Sequence, residues 1–208
     1  MKNNYHYPMV LLGSFVLFSV AMGLRPLFRD VWLVENILLW VFLPALVLSG
    51  QRFKFSNFSY TLIFLLCVLQ TIGAHYTYAL VPMEGISEWF GFQRNHYDRL
   101  VHFSFGLLLA YPVRELFVWL DKPNHLWAFC APIIIVFAAS SVYEILEWMA
   151  TMTILKPKTE DATLFLGAQG DIWDAQKDMA LVGAGAIVAM LMTTLFGARW
   201  NRTPVADK

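Results

Sequence analysis

The chain has 208 residues, of which 58% are hydrophobic, 16% aromatic and 14% charged, and its 15 Lys and Arg residues balance its 15 Asp and Glu residues. An ordinary soluble domain carries about 25% charged residues, so this composition excludes one and indicates a membrane protein surrounded by lipid. Zero net charge and the lack of a basic run argue against nucleic acid as a partner, because phosphate binding needs clustered Lys and Arg.

Six apolar stretches supply the roughly 20 residues that a helix needs to cross a bilayer. The first three spans are predicted at about 8–24, 31–50 and 58–80. The first resembles a signal peptide, but its long uncharged run and the five spans that follow favour its retention. The third lies in the longest stretch of the chain that is free of Asp, Glu, Lys and Arg.

The last three spans are predicted at about 97–120, 126–149 and 174–196. The fourth contains Pro112, which would kink it, and is interrupted by Arg114 and Glu115. This interruption is tolerable because adjacent opposite charges near a helix end can pair or reach the interface. In the sixth span, Gly183 and Gly185 form a small-residue surface that lets membrane helices approach closely.

Two connections, 81–96 and 150–172, are long enough to carry small structures of their own, and Gly167 and Gly170 in the second favour a tight turn. We find no repeat or linker. The chain is therefore predicted to be one integral membrane domain over 1–208, an all-α polytopic bundle of six transmembrane helices. Six spans place both termini on one side, and a slight excess of Lys and Arg there favours termini in the cytoplasm.

Three of the six spans carry polar residues at helical spacing near the same membrane face. The fourth span begins with an aspartate and a histidine four residues apart, the fifth ends with two glutamates three apart, and the sixth begins with three aspartates at spacings of three and four. Such spacings place side chains on one helix face. The residues are Asp98, His102, Glu144, Glu147, Asp171, Asp174 and Asp178.

These groups lie at one depth in the membrane if the three helices touch. Six carboxylates cannot all remain ionised in a medium of low dielectric without positive charge, and Arg99 and Lys177 supply only part of it. Carboxylate oxygens around an imidazole match a divalent cation such as Mg²⁺, Mn²⁺, Zn²⁺ or Fe²⁺. The predicted ligands are Asp98, His102, Glu144, and Asp171 or Asp174. The predicted general base is Glu147 or Asp178.

Each part of this pattern also has an ordinary structural interpretation. Asp171 can cap the last helix, with Asp174 in its first turn, where acids interact favourably with the helix dipole. Asp98 and His102 can be interfacial residues at the start of a span. The two glutamates are harder to explain in this way, because acids beside a long apolar run are costly unless they face a cavity or a partner.

Other polar residues carry less information. Glu35 and His75 lie toward the same membrane face, where each either lines the same cavity or is merely solvated. The chain has no glycine-rich phosphate loop, no cysteine pair at metal spacing and no His-Glu-x-x-His helix.

Three segments make the whole chain similar to a known family. The run 95–106, the segment Tyr-Glu-Ile-Leu-Glu-Trp at 143–148 and the segment 167–179 resemble the uncharacterised bacterial inner-membrane proteins of the YjdF type. This resemblance covers all six spans and implies a location in the inner membrane. It brings no established activity with it.

A more distant similarity is to VanZ-like membrane proteins, which are associated with glycopeptide-antibiotic tolerance. It rests on the order and spacing of Asp98, His102, Glu144, Asp171 and Asp174. The chain departs from that pattern by its additional acids, Glu147 and Asp178. The similarity therefore implies a shared fold more than a shared function.

The preferred functional hypothesis is a metal-dependent enzyme of the bacterial inner membrane that acts on a lipid-linked or envelope substrate. One alternative is a small cation- or proton-coupled transporter, which predicts polar residues through the full depth of the membrane. Apart from Arg114 and Glu115, the deeper halves of the last three spans are apolar. A second alternative is a non-catalytic structural or regulatory protein whose acids hold three helices together through a bound ion.

Overall fold

The computed structural model of the chain describes residues 5–154 and 166–200. Within these residues the chain forms seven helices and no strand. The helices are α1 (His6–Gly23), α2 (Arg29–Ser49), α3 (Asn57–Tyr76), α4 (Glu84–Phe90), α5 (Tyr97–Asp121), α6 (His125–Thr153) and α7 (Asp174–Trp200). All except α4 are long and apolar enough to cross a membrane, which confirms the predicted all-α bundle with six spans.

Helix α3 is shorter at its end than the predicted third span. At its start the Ser56 side chain accepts a hydrogen bond from the Ser59 backbone N–H, as a helix N-cap does. At its end Thr77 and Tyr78 both have left-handed backbone conformations, and the Tyr78 N–H donates to the Gly73 carbonyl. A Cβ at Gly73 would meet the Tyr78 ring, so glycine lets the chain fold back over the last turn of α3.

Glu115, one of the two charged residues that interrupt the fourth span, accepts hydrogen bonds from the start of α3. One carboxylate oxygen of Glu115 accepts from the Ser56 backbone N–H at 2.7 Å, and the other accepts from the hydroxyls of Ser56 and Ser59. Glu115 thus interacts with the positive end of the α3 dipole. Helix α5 therefore continues through Pro112 and past the charged pair to its end.

Both long connections contain local structure, as the sequence predicts. The first carries α4, a helix of 7 residues that exposes aromatic side chains such as Trp89. The described part of the second forms a turn in which Gly167 and Gly170 have φ angles of 64° and 87°. Both angles lie in the left-handed region that glycine adopts without strain.

The centre of the bundle is the packing of α5 against α7, the most extensive helix contact in the described structure. Gly106 of α5 lies against the backbone of α7 at Val182 and Ala186, and Gly185 lies against the backbone of α5. Helix α6 packs on both helices, α3 packs on the other side of α5, and α1 packs on α3. This arrangement brings the start of α5, the end of α6 and the start of α7 together at one end of the bundle.

Candidate metal centre

His102 is the centre of a buried polar cluster at the membrane face where α5 begins. Its Nδ1 atom lies 3.1 Å from the backbone carbonyl oxygen of Asp98 and 3.2 Å from the Asp98 Oδ1 atom. Because the two residues are four apart on α5, the helix itself sets this contact. The two side chains are 11% and 12% exposed, so they meet away from bulk solvent.

Two further carboxylates reach the same imidazole from other helices. Glu144 of α6 places its Oε1 atom 3.0 Å from Nε2 of His102. Asp178 of α7 places its Oδ1 atom 3.8 Å from Nδ1. Both ring nitrogens therefore face carboxylates, and each of the three helices that form the centre of the bundle contributes at least one group.

The cluster has buried oxygens with few or no hydrogen-bond donors. Within the described residues, Asp178 Oδ1 is buried and accepts no hydrogen bond, its side chain is only 2% exposed, and Glu144 Oε1 is buried against the His102 Nε2 atom. Leaving such an acceptor unsatisfied costs roughly 1–3 kcal/mol, and more for a charged group. A positive partner between these oxygens would offset that cost.

Three of the residues have the geometry of a cation site. One ligand atom from each of Asp98, His102 and Asp178 lies within 4.8 Å of the other two. Two carboxylates and an imidazole suit Zn²⁺, Mn²⁺ or Fe²⁺, and Glu144 lies beside them to complete a coordination sphere. The donor set thus fits a single divalent ion.

The other two predicted ligands, Asp171 and Asp174, lie in a separate ion-pair network next to the cluster. Asp171 Oδ2 is 2.5 Å from the Arg99 guanidinium and 2.6 Å from the Lys177 ammonium. Asp174 Oδ1 is 2.9 Å from the Arg94 guanidinium. The nearby basic side chains therefore balance Asp171 and Asp174, and the inner carboxylates are left with His102.

The loop before α7 covers the cluster. Arg94 donates hydrogen bonds to the carbonyl oxygens of Gly167 and Ala168, both at 3.3 Å. A Cβ built on Gly167 would lie 3.2 Å from the Asp98 Oδ2 atom, so the loop backbone sits directly on that carboxylate. The φ angle of Gly167 also favours glycine at this position.

Glu147, a predicted general base, lines a cavity between α2 and α6. The cavity has a volume of about 250 Å³ and is otherwise mostly apolar. Glu35 and Tyr143 line the same cavity, and the Tyr143 hydroxyl donates to Glu35 Oε2 at 3.2 Å. A smaller cavity of about 50 Å³ is lined by both Tyr143 and His102. Tyr143 is thus the residue that the two cavities have in common.

Part of this polar interior is not predicted by the spacing of the acids along the sequence. The amide of Gln70 donates to Glu35 at 3.2 Å and accepts from the hydroxyl of Tyr78, so α2, α3 and α6 share one hydrogen-bond network. The sequence does contain an indication of this network. Gln70 lies in the longest stretch without charged residues, and an amide buried in an apolar span needs a hydrogen-bond partner. His75 instead contacts the Met22 carbonyl oxygen at 2.6 Å.

The structure therefore divides the predicted site residues into three groups. One cluster consists of Asp98, His102, Glu144 and Asp178, and in it Asp178 lies beside the imidazole. Asp171 and Asp174 form ion pairs beside it, and Glu147 faces the cavity next to α2. The roles assigned from the sequence to these residues stay predictions.

The ion pairs of Asp171 lead to a prediction on pH. The pKa of Asp171 is held well below its usual range by the hydrogen bond from Lys177, with the Trp173 backbone N–H and Arg99 acting in the same direction. A lowered folded pKa stabilises the protein above the unfolded pKa, about 3.9, and this stabilisation is lost as the pH falls below it. We expect Asp171→Asn to lower the unfolding temperature equally at pH 7 and pH 5.

Below about pH 3.9 the difference between the wild type and Asp171→Asn should narrow. Thermal unfolding in detergent at pH 7, 5 and 3 measures it, with the exposed Asp30→Asn as the matched control. A difference that shrinks already between pH 7 and pH 5 would contradict the proposed ion pairing.

Comparisons with known proteins agree with this architecture. The profile of a family described as "Predicted membrane protein (DUF2238)" matches residues 7–199. The chain is 32% identical over 201 residues to "Inner membrane protein YjdF" of Escherichia coli (strain K12), and the match covers 94% of each chain. No solved structure matches significantly. The resemblance to the YjdF type and the location in the inner membrane are confirmed, whereas the VanZ similarity and the cytoplasmic termini stay predictions.

Proposed function

Since the chain belongs to the DUF2238 family of predicted membrane proteins, we propose that it is a metal-dependent enzyme of the inner membrane that acts on a lipid-linked or envelope substrate. In this proposal Asp98, His102 and Asp178 hold one divalent cation, with Glu144 beside them. The observation that carries it is the convergence of these three ligand atoms around a buried Asp178 oxygen that accepts no hydrogen bond from the described residues.

The charges around the cluster support a bound cation. Three carboxylates approach His102, while the guanidinium of Arg99 and the ammonium of Lys177 are engaged by Asp171. One protonated imidazole would balance only one of the three negative charges. A divalent ion at the same point balances two and uses the imidazole as a ligand, and it explains why no Lys or Arg is needed inside the cluster.

The cavities next to the cluster support a reaction. The small cavity beside His102 has room for a water molecule, and the buried Ser140 hydroxyl, which has no hydrogen-bond partner among the described residues, also lines it. A metal ion would lower the pKa of such a water or polarise a phosphoryl oxygen. Glu147 lines the cavity that shares Tyr143 with this space, and we assign it the role of general base.

The position of the larger cavity supports a lipid-linked substrate. Helix α2 packs only lightly on the rest of the bundle, and the cavity between α2 and α6 is lined by apolar side chains such as Leu38 and Leu146 together with Glu147. A lipid that enters between these helices brings its polar end to the carboxylates without leaving the apolar phase. The apolar core formed below the cluster by residues such as Val136, Val182 and Met190 argues against a transport path through the membrane.

Elemental analysis tests metal binding. The purified full chain in detergent is depleted with a chelator and reloaded separately with Mg²⁺, Mn²⁺, Zn²⁺ or Fe²⁺. We expect the wild type to retain one of these ions and the double variant Asp98→Asn, Glu144→Gln to retain a negligible amount. The exposed pair Asp30→Asn, Glu88→Gln is the matched control. Equal and negligible metal in the wild type and the double variant would rule out the metal centre.

Turnover separates an enzyme from a structural metal protein. The metal-loaded chain is incubated with a lipid extract of bacterial inner membranes, and the lipids are analysed by mass spectrometry. We expect at least one lipid species to be consumed by the wild type but not by Glu147→Gln or the chelated protein. An unchanged lipid profile, with metal bound, would favour the structural alternative.

A further inference from the structure

A second groove shares no lining residue with the cavity next to α2. It has a volume of about 850 Å³ and runs between α4, α5 and α7. Its walls are apolar and include Ile86, Phe92, Leu100, Phe103, Leu181 and Ala184. The groove stays open because α7 contributes small side chains such as Ala184 to its wall, opposite the larger side chains of α4 and α5.

The polar end of this groove carries basic groups. Its only charged or imidazole-bearing lining residues among those described are His96, Arg99 and Lys177, and no carboxylate lines it. The imidazole of His96 lies beside these two cations in the lining of the groove. Arg99 and Lys177 carry the positive charge.

These two cations have capacity left for another anion. Arg99, Lys177 and Arg94 contribute three positive charges to the ion-pair network, whereas Asp171 and Asp174 contribute two negative ones. The Nε atom of Arg99 is buried without a hydrogen-bond partner among the described residues, and the Lys177 side chain is 48% exposed. The half-exposed Lys177 ammonium therefore remains accessible at this end of the groove, next to Arg99.

We propose that the groove between α4, α5 and α7 binds an anionic phospholipid, with an acyl chain along its apolar walls and the phosphate at Arg99, Lys177 and His96. The groove has apolar walls and two cations at its polar end. A phospholipid has the matching chemistry, because it joins an acyl chain to a phosphate. The exposed Trp89 of α4 places this end at headgroup level, where tryptophan is enriched. The inference goes beyond the proposed function and does not depend on the metal centre.

The test measures lipid binding to the delipidated full chain in detergent by native mass spectrometry. The probes are phosphatidylglycerol and phosphatidylcholine with identical acyl chains, and inorganic phosphate as the headgroup without a chain. The variants are Lys177→Gln, which removes one cation, and Ala184→Phe, which fills the groove. Lys122→Gln, an exposed lysine at the other end of α5, is the matched control.

We expect the wild type to bind phosphatidylglycerol about tenfold more tightly than phosphatidylcholine, and inorganic phosphate not to compete at equal concentration. Lys177→Gln should weaken phosphatidylglycerol binding about fivefold, the effect of one basic residue near an anionic lipid, and leave phosphatidylcholine unchanged. Ala184→Phe should weaken both lipids, and Lys122→Gln neither.

Equal affinity for the two lipids, or a Lys177→Gln variant with unchanged selectivity, would overturn the inference. A dimer that Ala184→Phe converts to a monomer would overturn it as well, because the groove would then be a contact between two copies of the chain. The Asp98→Asn, Glu144→Gln protein should keep the lipid selectivity. The experiments can therefore refute the metal centre without refuting lipid binding in the groove, and the reverse.

Discussion

Replacing Gly106 with leucine is expected to lower the free energy of unfolding by about 3 kcal/mol, in the upper range for an overpacked site. A Cβ at Gly106 would meet the backbone carbonyl oxygen of Val182 and would lie 2.8 Å from the backbone nitrogen of Ala186. Gly185 makes the reciprocal contact, with a Cβ position 2.8 Å from the Leu107 nitrogen. Backbone atoms in two packed helices cannot rotate away, so the helices themselves must separate.

The same substitution should disturb the metal centre, because Gly106 lies one turn beyond His102 and the contact holds α5 against α7. Thermal unfolding in detergent measures stability, and elemental analysis of the same samples measures metal. The control is Gly13→Leu in α1, where a Cβ meets nothing within 4 Å. Similar unfolding temperatures for the two variants would show that the close approach of α5 and α7 is not required.

Replacing Asp178 with asparagine is expected to weaken divalent-metal affinity by at least about 100-fold, because loss of an outer partner of a ligand already costs 10–100-fold. Asp178 is the single contribution of α7 to the cluster, 3.8 Å from His102 Nδ1, and its Oδ1 atom is buried. The amide keeps the size of the carboxylate but removes its charge. Isothermal titration of the chelated protein with Mn²⁺ or Zn²⁺ gives the affinity.

This variant also distinguishes the two roles open to Asp178. A ligand is required for binding, whereas a general base is required only for turnover. Unchanged metal affinity in Asp178→Asn, with turnover lost, would assign Asp178 as the base that the sequence predicts and remove it from the ligand set. Asp30→Asn, at the same membrane face but exposed, should leave the affinity unchanged.

Much of the fold can be predicted from the sequence because each span is a local property of composition. About 20 apolar residues must be helical in a bilayer, where every backbone polar group needs an internal partner. Predicted and observed spans therefore agree closely at most ends. The largest differences are at the ends of α3, α6 and the last helix. The early end of α3 comes from Tyr78, whose ring packs over Gly73, a contact that hydropathy does not encode.

The sequence predicts the depth in the membrane at which the acids of the candidate site lie. It does not predict which groups each acid contacts. Helical spacing and alternating direction place the acids of α5, α6 and α7 at one face. Spacing cannot decide that Asp178 reaches His102 while Asp171 pairs with Arg99 and Lys177. That choice depends on how α7 is rotated about its axis, which is set by packing.

The sequence by itself determined a six-span helical membrane protein with seven polar side chains at one face, because hydropathy and the 3.6-residue period act within single helices. Only the tertiary structure decided which of those side chains meet. The backbone contact at Gly106 and Gly185 sets the rotation and depth of α7 against α5. That rotation places Asp178 against the imidazole and leaves the other two aspartates of α7 and its preceding loop to the basic residues outside.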